Sequence, residues 1–458
     1  MRSIGVHISA SAALLLVASG AGVVPAAGQT ATMRDSAGVV IVESQSPVWA
    51  GERRWTIDPV ATLSVSPIGT PSRAGVLEVL GGVSLSDGRV AVAMSGPGVR
   101  FYSPEGAPVG EYGAPGVIRR QNQPLAAYHR TSASFGRFAG DSLYLYDNIS
   151  RRLTVLHPTG VEARAPQIPL FPAQPRRMLG APVFRGFGIT LLATVRLLSD
   201  GRAVAASEAI PAVPDLGQDP RGVRGGVLRS ELSLGYITPE DTAFAAFTTL
   251  AGDDVFWGIN IEESGGDITG VHVTSQGASF ARSGLWSVTP TGAGVVAGSN
   301  DRLSFRYLDA EGRTVRMARV PALDAPLDPT TVESMRVESL RRIDGDLDRR
   351  ATVKAIDRHM WERAVAPDFA PRFHGIVVGA EGDVWLDPVA DPESWPPGLR
   401  EPTNDWLVFD PDGRWLGSVE VPPRARVLEV GTDSVLLLYR DQLDVEWVRR
   451  HRLDRSGG

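Results

Sequence analysis

Cysteine is absent from the 458 residues. That excludes disulfides, thiolate metal sites, cysteine nucleophiles and lipid attachment at a cysteine. Stability outside the cytoplasm would have to come from packing alone. Lysine is almost absent as well. Lys354 stands alone, so arginine carries nearly all the positive charge, a skew that reads as coding bias. No strong charge of either sign is present, since the formal net charge is −6. Without a basic face to meet phosphates, a nucleic-acid partner is excluded. Gly-x-Ser-x-Gly, His-Glu-x-x-His and phosphate-loop motifs are missing too. Past the first residues, no run is long and apolar enough to span a bilayer.

The first residues read as an export signal covering 1–28. Arg2 gives a positive start, Ile8–Val24 is apolar and small, and Ala26-Ala27-Gly28 offers a cleavage site before Gln29. The mature chain is then 29–458, periplasmic or extracellular, with no lipobox cysteine and no membrane span after cleavage.

What the chain does contain is a repeated turn phrase. Ser103-Pro104-Glu105-Gly106 returns as His157-Pro158-Thr159-Gly160, Asp309-Ala310-Glu311-Gly312 and Asp410-Pro411-Asp412-Gly413. Each copy follows an apolar strand-like run, and a second turn lies upstream, as in Ser86-Asp87-Gly88. The order within one copy is strand, Asp-Gly hairpin, strand, strand, turn, strand. Self-similarity of this kind predicts a repeat architecture.

Six such units are expected. The third starts near Leu191, is interrupted over 211–229 and turns at Gly252-Asp253-Asp254. The fifth, Phe373–Val421, carries a Pro/Trp-rich insert from Pro388 to Asn404. The sixth, Val427–Leu453, has only three strands. Gly38–Glu43 is a spare strand that should complete it. The predicted fold is all-β, a six-bladed β-propeller with four-stranded antiparallel blades, its last blade closed by an N-terminal strand. A seventh blade between Asp254 and Arg282 is the competing count. One segment, 328–363, has helical spacing and charge, with Thr330/Glu333 or Asp328-Pro329 as its start. It is either a surface connector or a lid over one mouth.

The phrase resembles six-bladed propellers of the NHL and TolB-like kind, and more closely exported bacterial propellers of unassigned role. Gly38–Val42 and Val83–Val92 carry the likeness best. That resemblance implies a fold and leaves the activity open among ligand or protein binding, lactonase-type hydrolysis and lyase chemistry. If the chain is an enzyme of that group, it implies a channel metal, calcium, held by Glu, Asn and Asp. Asn148, Asn260, Asn300 and Asn404 fall in no motif that maps to such a site.

Among candidate residues, the histidines are scattered and read as surface or structural. Asp344-Gly345-Asp346-Leu347-Asp348 starts like a calcium loop, but Arg349 and Ala355 stand where glycine and glutamate are needed. The best constellation lies in or just before the first strands of the units, which line a propeller's channel. Arg137, Arg196, Arg282, Arg372 and Arg426 recur there, with His374 and Glu78 at comparable places. Converging guanidinium groups suit carboxylates or phosphates. The ligand-binding candidates are therefore Arg137, Arg196, Arg372, His374 and Arg426, with no catalytic or metal residue assigned. The reading is an exported binding module for a protein or a small anionic ligand; a metal-dependent hydrolase or lyase is the alternative.

Overall fold

The computed structural model describes residues 30–49, 54–66, 79–94, 98–113, 133–147, 152–158, 162–164, 189–210, 224–237, 244–264, 267–277, 282–290, 294–324, 326–346, 351–363, 366, 368–388, 404–443 and 445–457. The expected signal segment lies outside them.

Three strands come before the first blade: β1 (Ala31–Ser36), β2 (Val39–Ser44) and β3 (Thr56–Val65). Blade 1 is β4 (Val79–Ser84), β5 (Val90–Met94), β6 (Gly98–Tyr102) and β7 (Pro108–Gly113). Blade 2 is β8 (Ala133–Arg137), β9 (Leu143–Asp147), β10 (Arg152–Leu156) and β11 (Glu162–Arg164). Blade 3 has five strands: β12 (Ile189–Leu197), β13 (Ala203–Ile210), β14 (Arg224–Ile237), β15 (Phe244–Ser264) and β16 (Asp267–Gly277). Blade 4 is β17 (Gly284–Val288), β18 (Val295–Ser299), β19 (Ser304–Leu308) and β20 (Thr314–Arg319). Helices α1 (Pro329–Gly345) and α2 (Ala351–Arg363) follow. Blade 5 is β21 (Phe373–Val378), β22 (Val384–Pro388), β23 (Asp405–Phe409) and β24 (Trp415–Glu420). Blade 6 is β25 (Ala425–Val430), β26 (Ser434–Arg440), β27 (Glu446–Asp454) and, on its outside, β3.

The innermost strands β4, β8, β12, β17, β21 and β25 each pack on the next, and β25 packs on β4. The ring is a closed six-bladed propeller. Its apolar material is divided accordingly, with one cluster of buried side chains at each of the six interfaces between blades. Second strands are buried on both faces, so they read as unbroken apolar runs; every residue of Val90–Met94 is buried.

The turn phrase has a local physical cause. Gly106, Gly312 and Gly413 have φ of 91°, 78° and 85°, the left-handed region that favours glycine. At the head of the turn, Ser103 Oγ accepts from the amides of Glu105 and Ala107. Asp309 Oδ1 does the same for Glu311 and Arg313, and Asp410 Oδ1 for Arg414. A short oxygen first and glycine last therefore satisfy the turn's amides and its backbone twist together.

Three expectations are corrected. An N-terminal strand does close the last blade, but it is β3, which pairs antiparallel with β27. β2 instead adds parallel to β20 on the outer edge of blade 4, with β1 hydrogen-bonded outside it. β3 contains Asp58 and Pro59, which an outermost strand tolerates because one side of its backbone needs no partner. Gly252-Asp253-Asp254 is no turn. It lies within β15, where Ser230 faces two residues at a bulge between the pairs Arg229↔Asp254 and Glu231↔Ala251. The material between Asp254 and Arg282 is a hairpin extension of blade 3 and makes no seventh blade.

The helical insert starts as Asp328-Pro329 predicts, with Asp328 Oδ2 accepting from Thr331 N at 3.0 Å. Val332, Met335, Ile343, Met360 and Trp361 form its own small core, joined by Val227 of β14. α2 packs on β14 and β15. At the base, Leu327 N donates to Asp368 O, and Arg302 stacks 4.1 Å over the Phe369 ring.

Candidate functional site: the two mouths of the channel

All six innermost strands run the same way along the axis. Their far ends feed the tight hairpins, which meet at one mouth: Ser86 of blade 1 donates to Asp141 of blade 2, and Ala380 N of blade 5 to Val430 O of blade 6. This is the turn mouth. The strand starts and the long inserts lie at the other, the loop mouth.

The structure divides the five candidates between these mouths. Arg137 ends β8 and Arg196 is next to last in β12, so both belong to the turn mouth. Arg372, His374 and Arg426 lie at strand starts, at the loop mouth. Glu78 lies outside the described residues.

At the turn mouth the guanidinium groups are engaged within the protein. Arg137 Nη1 lies 3.2 Å from Asp141 Oδ1, and Nη2 lies 3.4 Å from Glu429 Oε1. Arg196 sits 5.4 Å from the Trp286 ring of blade 4 and also meets Tyr144 of blade 2, a wedge between blades.

The loop mouth differs. His374 and Arg426 lie near the starts of β21 and β25, the innermost strands of the neighbouring blades 5 and 6. His374 is also the unpaired residue of a β-bulge between Phe373 and Gly375, as Leu80 and Ala193 are in β4 and β12. His374 Nε2 lies 3.1 Å from Oδ2 of Asp387, a residue only 3% exposed. His374 Nδ1 and Asp387 Oδ1 are both buried without a hydrogen-bond partner. Each such atom costs about 1–3 kcal/mol. Arg426 is exposed, and Arg372, half-buried, gives its backbone N–H to Asn300 O at 3.2 Å.

Sequence reasoning singled out Arg282 but missed the acids around it. Arg282 grips the buried Asp254, with Nε 2.8 Å from Oδ2 and Nη2 3.2 Å from Oδ1. Arg229 reaches the same carboxylate at 3.3 Å and Asp301 at 2.9 Å. Next to them, burial, and then the charge of Glu208, push the Asp253 carboxyl up to about 6, against hydrogen bonds from Ser283 and Gly284. Glu208 itself accepts from Ser230 Oγ at 2.6 Å. Reading Gly252–Asp254 as a turn hid this group, because a bulge inside a strand and a loop share the same residue types.

Among the described residues, no cluster of three or more His, Asp or Glu side chains could hold a metal. Asn300 is committed elsewhere, its Oδ1 accepting from Ser283 N at 2.6 Å. No helix among the described residues is long and apolar enough to cross a membrane.

No family model matches the chain, and no curated protein matches it. Solved structures similar to it are propellers. Virginiamycin B lyase from Staphylococcus aureus is 9% identical, with 88% of this chain and 100% of that one covered, at a TM-score of 0.36. A putative exported protein from Bacteroides fragilis is 9% identical over 90% and 99%, at 0.40. A member of the DUF4221 family from Bacteroides vulgatus is 10% identical over 88% and 99%, at 0.41. At these values they say nothing of activity.

Proposed function

We propose that the chain is an exported binding module whose ligand is a small anion seated in the loop mouth. The observation that supports this reading is His374, held 3.1 Å from the buried Asp387 at the start of β21, with Arg426 near the start of the neighbouring innermost strand. Such groups suit a ligand with an acidic group. Arg372, just before β21, would add a third polar side chain.

The enzyme reading is favoured by one specific feature, the Asp253 carboxyl, which changes charge near neutral pH beside Glu208. A hydrolase or lyase of the propeller lactonase type would also hold a divalent metal such as calcium. Metal analysis of the purified mature protein separates the two. Stoichiometric retained metal would overturn the binding-only reading.

The binding reading is tested with a panel of small carboxylates and phosphate monoesters, scored by thermal shift and then by calorimetry. A charged hydrogen bond is worth about 1.5–3 kcal/mol, so His374→Ala and Arg426→Ala should each weaken the best hit about tenfold or more. Arg341→Ala, on the exposed side of α1, should change nothing. Equal affinity in all three variants would refute the site.

A further inference from the structure

The turn mouth holds an arrangement that anion binding at the other end leaves unexplained. Arg137 belongs to blade 2 and Glu429 to blade 6, and blade 1 stands between them in the ring. Their 3.4 Å contact therefore runs past β4, inside the circle of innermost strands. Blade 1 joins through its backbone, with Ser84 N donating to Glu429 Oε2 at 2.6 Å. Three blades thus converge on one carboxylate.

The other side of Arg137 is held by a residue that breaks a local rule. In blades 1, 3 and 5 the last turn residue before the second strand pair is glycine, with φ of 85°, 84° and 87° at Gly88, Gly201 and Gly382. In blade 2 that place is taken by Asp141, at φ 58°. A non-glycine residue there carries backbone strain. What offsets it is the set of contacts its carboxylate makes: Arg137 at 3.2 Å, Ser86 N at 2.8 Å and the Ser86 hydroxyl.

We propose that Arg137, gripped between Asp141 and Glu429, is a clasp that ties blades 2 and 6 together across blade 1 at the turn mouth and lets go in acid. The proposal goes beyond the ligand reading above and does not depend on it. The two carboxylates are set apart. Burial raises Glu429 above the ordinary glutamate range, with Arg137 and Ser84 opposing and the charge of Asp141 adding to the rise. Asp141 is held below the ordinary range: burial works against this, and hydrogen bonds from Ser86 and the pair with Arg137 outweigh it. As pH falls, Glu429 takes a proton first and loses its hold, while Asp141 stays ionised and keeps Arg137. The guanidinium group is then drawn to the blade 2 side and the tie between blades 2 and 6 is released. The neighbouring acids of blade 5, Glu381 and Asp383, do not compete, since Arg455 engages both at 3.4 Å.

The Ser84 amide is a direct reporter, because its proton sits on Glu429. In an amide NMR titration of the full mature protein, the Ser84 resonance should move with a midpoint above the ordinary glutamate range. Arg137→Ala should raise that midpoint by about one unit, the size of a lost opposite charge. Asp141→Gly should lower it, and installs the residue that three other blades already carry, so folding is not at risk. Glu429→Gln, nearly unchanged in shape, should abolish the titration. Relaxation of the Ser84 amide by a dissolved neutral gadolinium chelate should rise below the midpoint in the wild type. A Ser84 resonance that does not titrate, or a midpoint indifferent to Arg137→Ala, overturns the clasp. Equal relaxation above and below the midpoint overturns the release.

Discussion

Asp253 shows how a single carboxyl can work against its own fold. Its folded-state pKa, about 6, lies above the unfolded value of 3.8. The folded protein therefore binds more protons than the unfolded one between those values, and stability falls as pH rises through 6. Asp253→Asn should remove this penalty. We expect the variant to be more stable than wild type above pH 6, by about 2 kcal/mol or less, and equal to it below pH 4. Urea unfolding at pH 4 and pH 7.5 checks both halves; a variant less stable at pH 7.5 contradicts it. The residues themselves were unevenly legible. Arg137, Arg196, Arg372, His374 and Arg426 are found by locating the first strands. Their division between two mouths is not, because it depends on where in each short strand a residue falls. Glu208, Asp253 and Asp254 gave no signal, since their meeting is made by strand pairing and a bulge.

Among elements, the hairpins were the most legible because their chemistry is local. An oxygen at the first position and glycine at the last satisfy the turn within five residues, whatever packs around them. The choice between β2 and β3 was misread for the opposite reason. Gly38–Glu43 is the more apolar segment, yet what seals a blade is register with β27, and β3 supplies six pairs along it. Parallel addition of β2 to β20 needs partners far apart in sequence, which no local pattern announces. The helical insert is a different kind of element. It carries its own apolar cluster, which among the described residues takes in Val227 from a strand, and the clusters between blades do not include it. Replacing residues 328–366 with a short Gly/Ser linker should keep the β signal in circular dichroism and a single melting transition. Loss of that transition would show that the insert supports blades 3 and 4.

For the whole molecule, closure is a matter of the two chain ends meeting. Before β3 reaches blade 6, the N-terminal segment crosses the outside of blades 4 and 5. β1 and β2 lie on blade 4, and Val48 N and Trp49 N donate to Trp415 O and Leu416 O on blade 5. Removing residues 30–44 should therefore lower the melting temperature while leaving a cooperative propeller. Truncation through residue 65 should do more, by exposing β27 along its length and opening the ring. We expect no cooperative transition from it, measured by calorimetry. Two variants that melt alike would mean that the outer hairpin and the closing strand are equivalent.

Because β3 and β27 are joined side by side, the propeller has a contact that no chain lacking either end can make. Thr62 donates to the Arg450 carbonyl across 388 positions. Closing a loop of that length costs about 3 kcal/mol more than closing a hairpin of about ten residues, from chain entropy alone. The step is also late by construction. A chain that emerges N-terminus first presents its closing strand at the start and must wait for the last blade to receive it. During that interval β3 is an unpaired strand, and so is the face of β27 once it appears. The native ring is thus reached by competition between this single intramolecular docking and pairing with the strand of another copy, a balance set by protein concentration at the moment of synthesis.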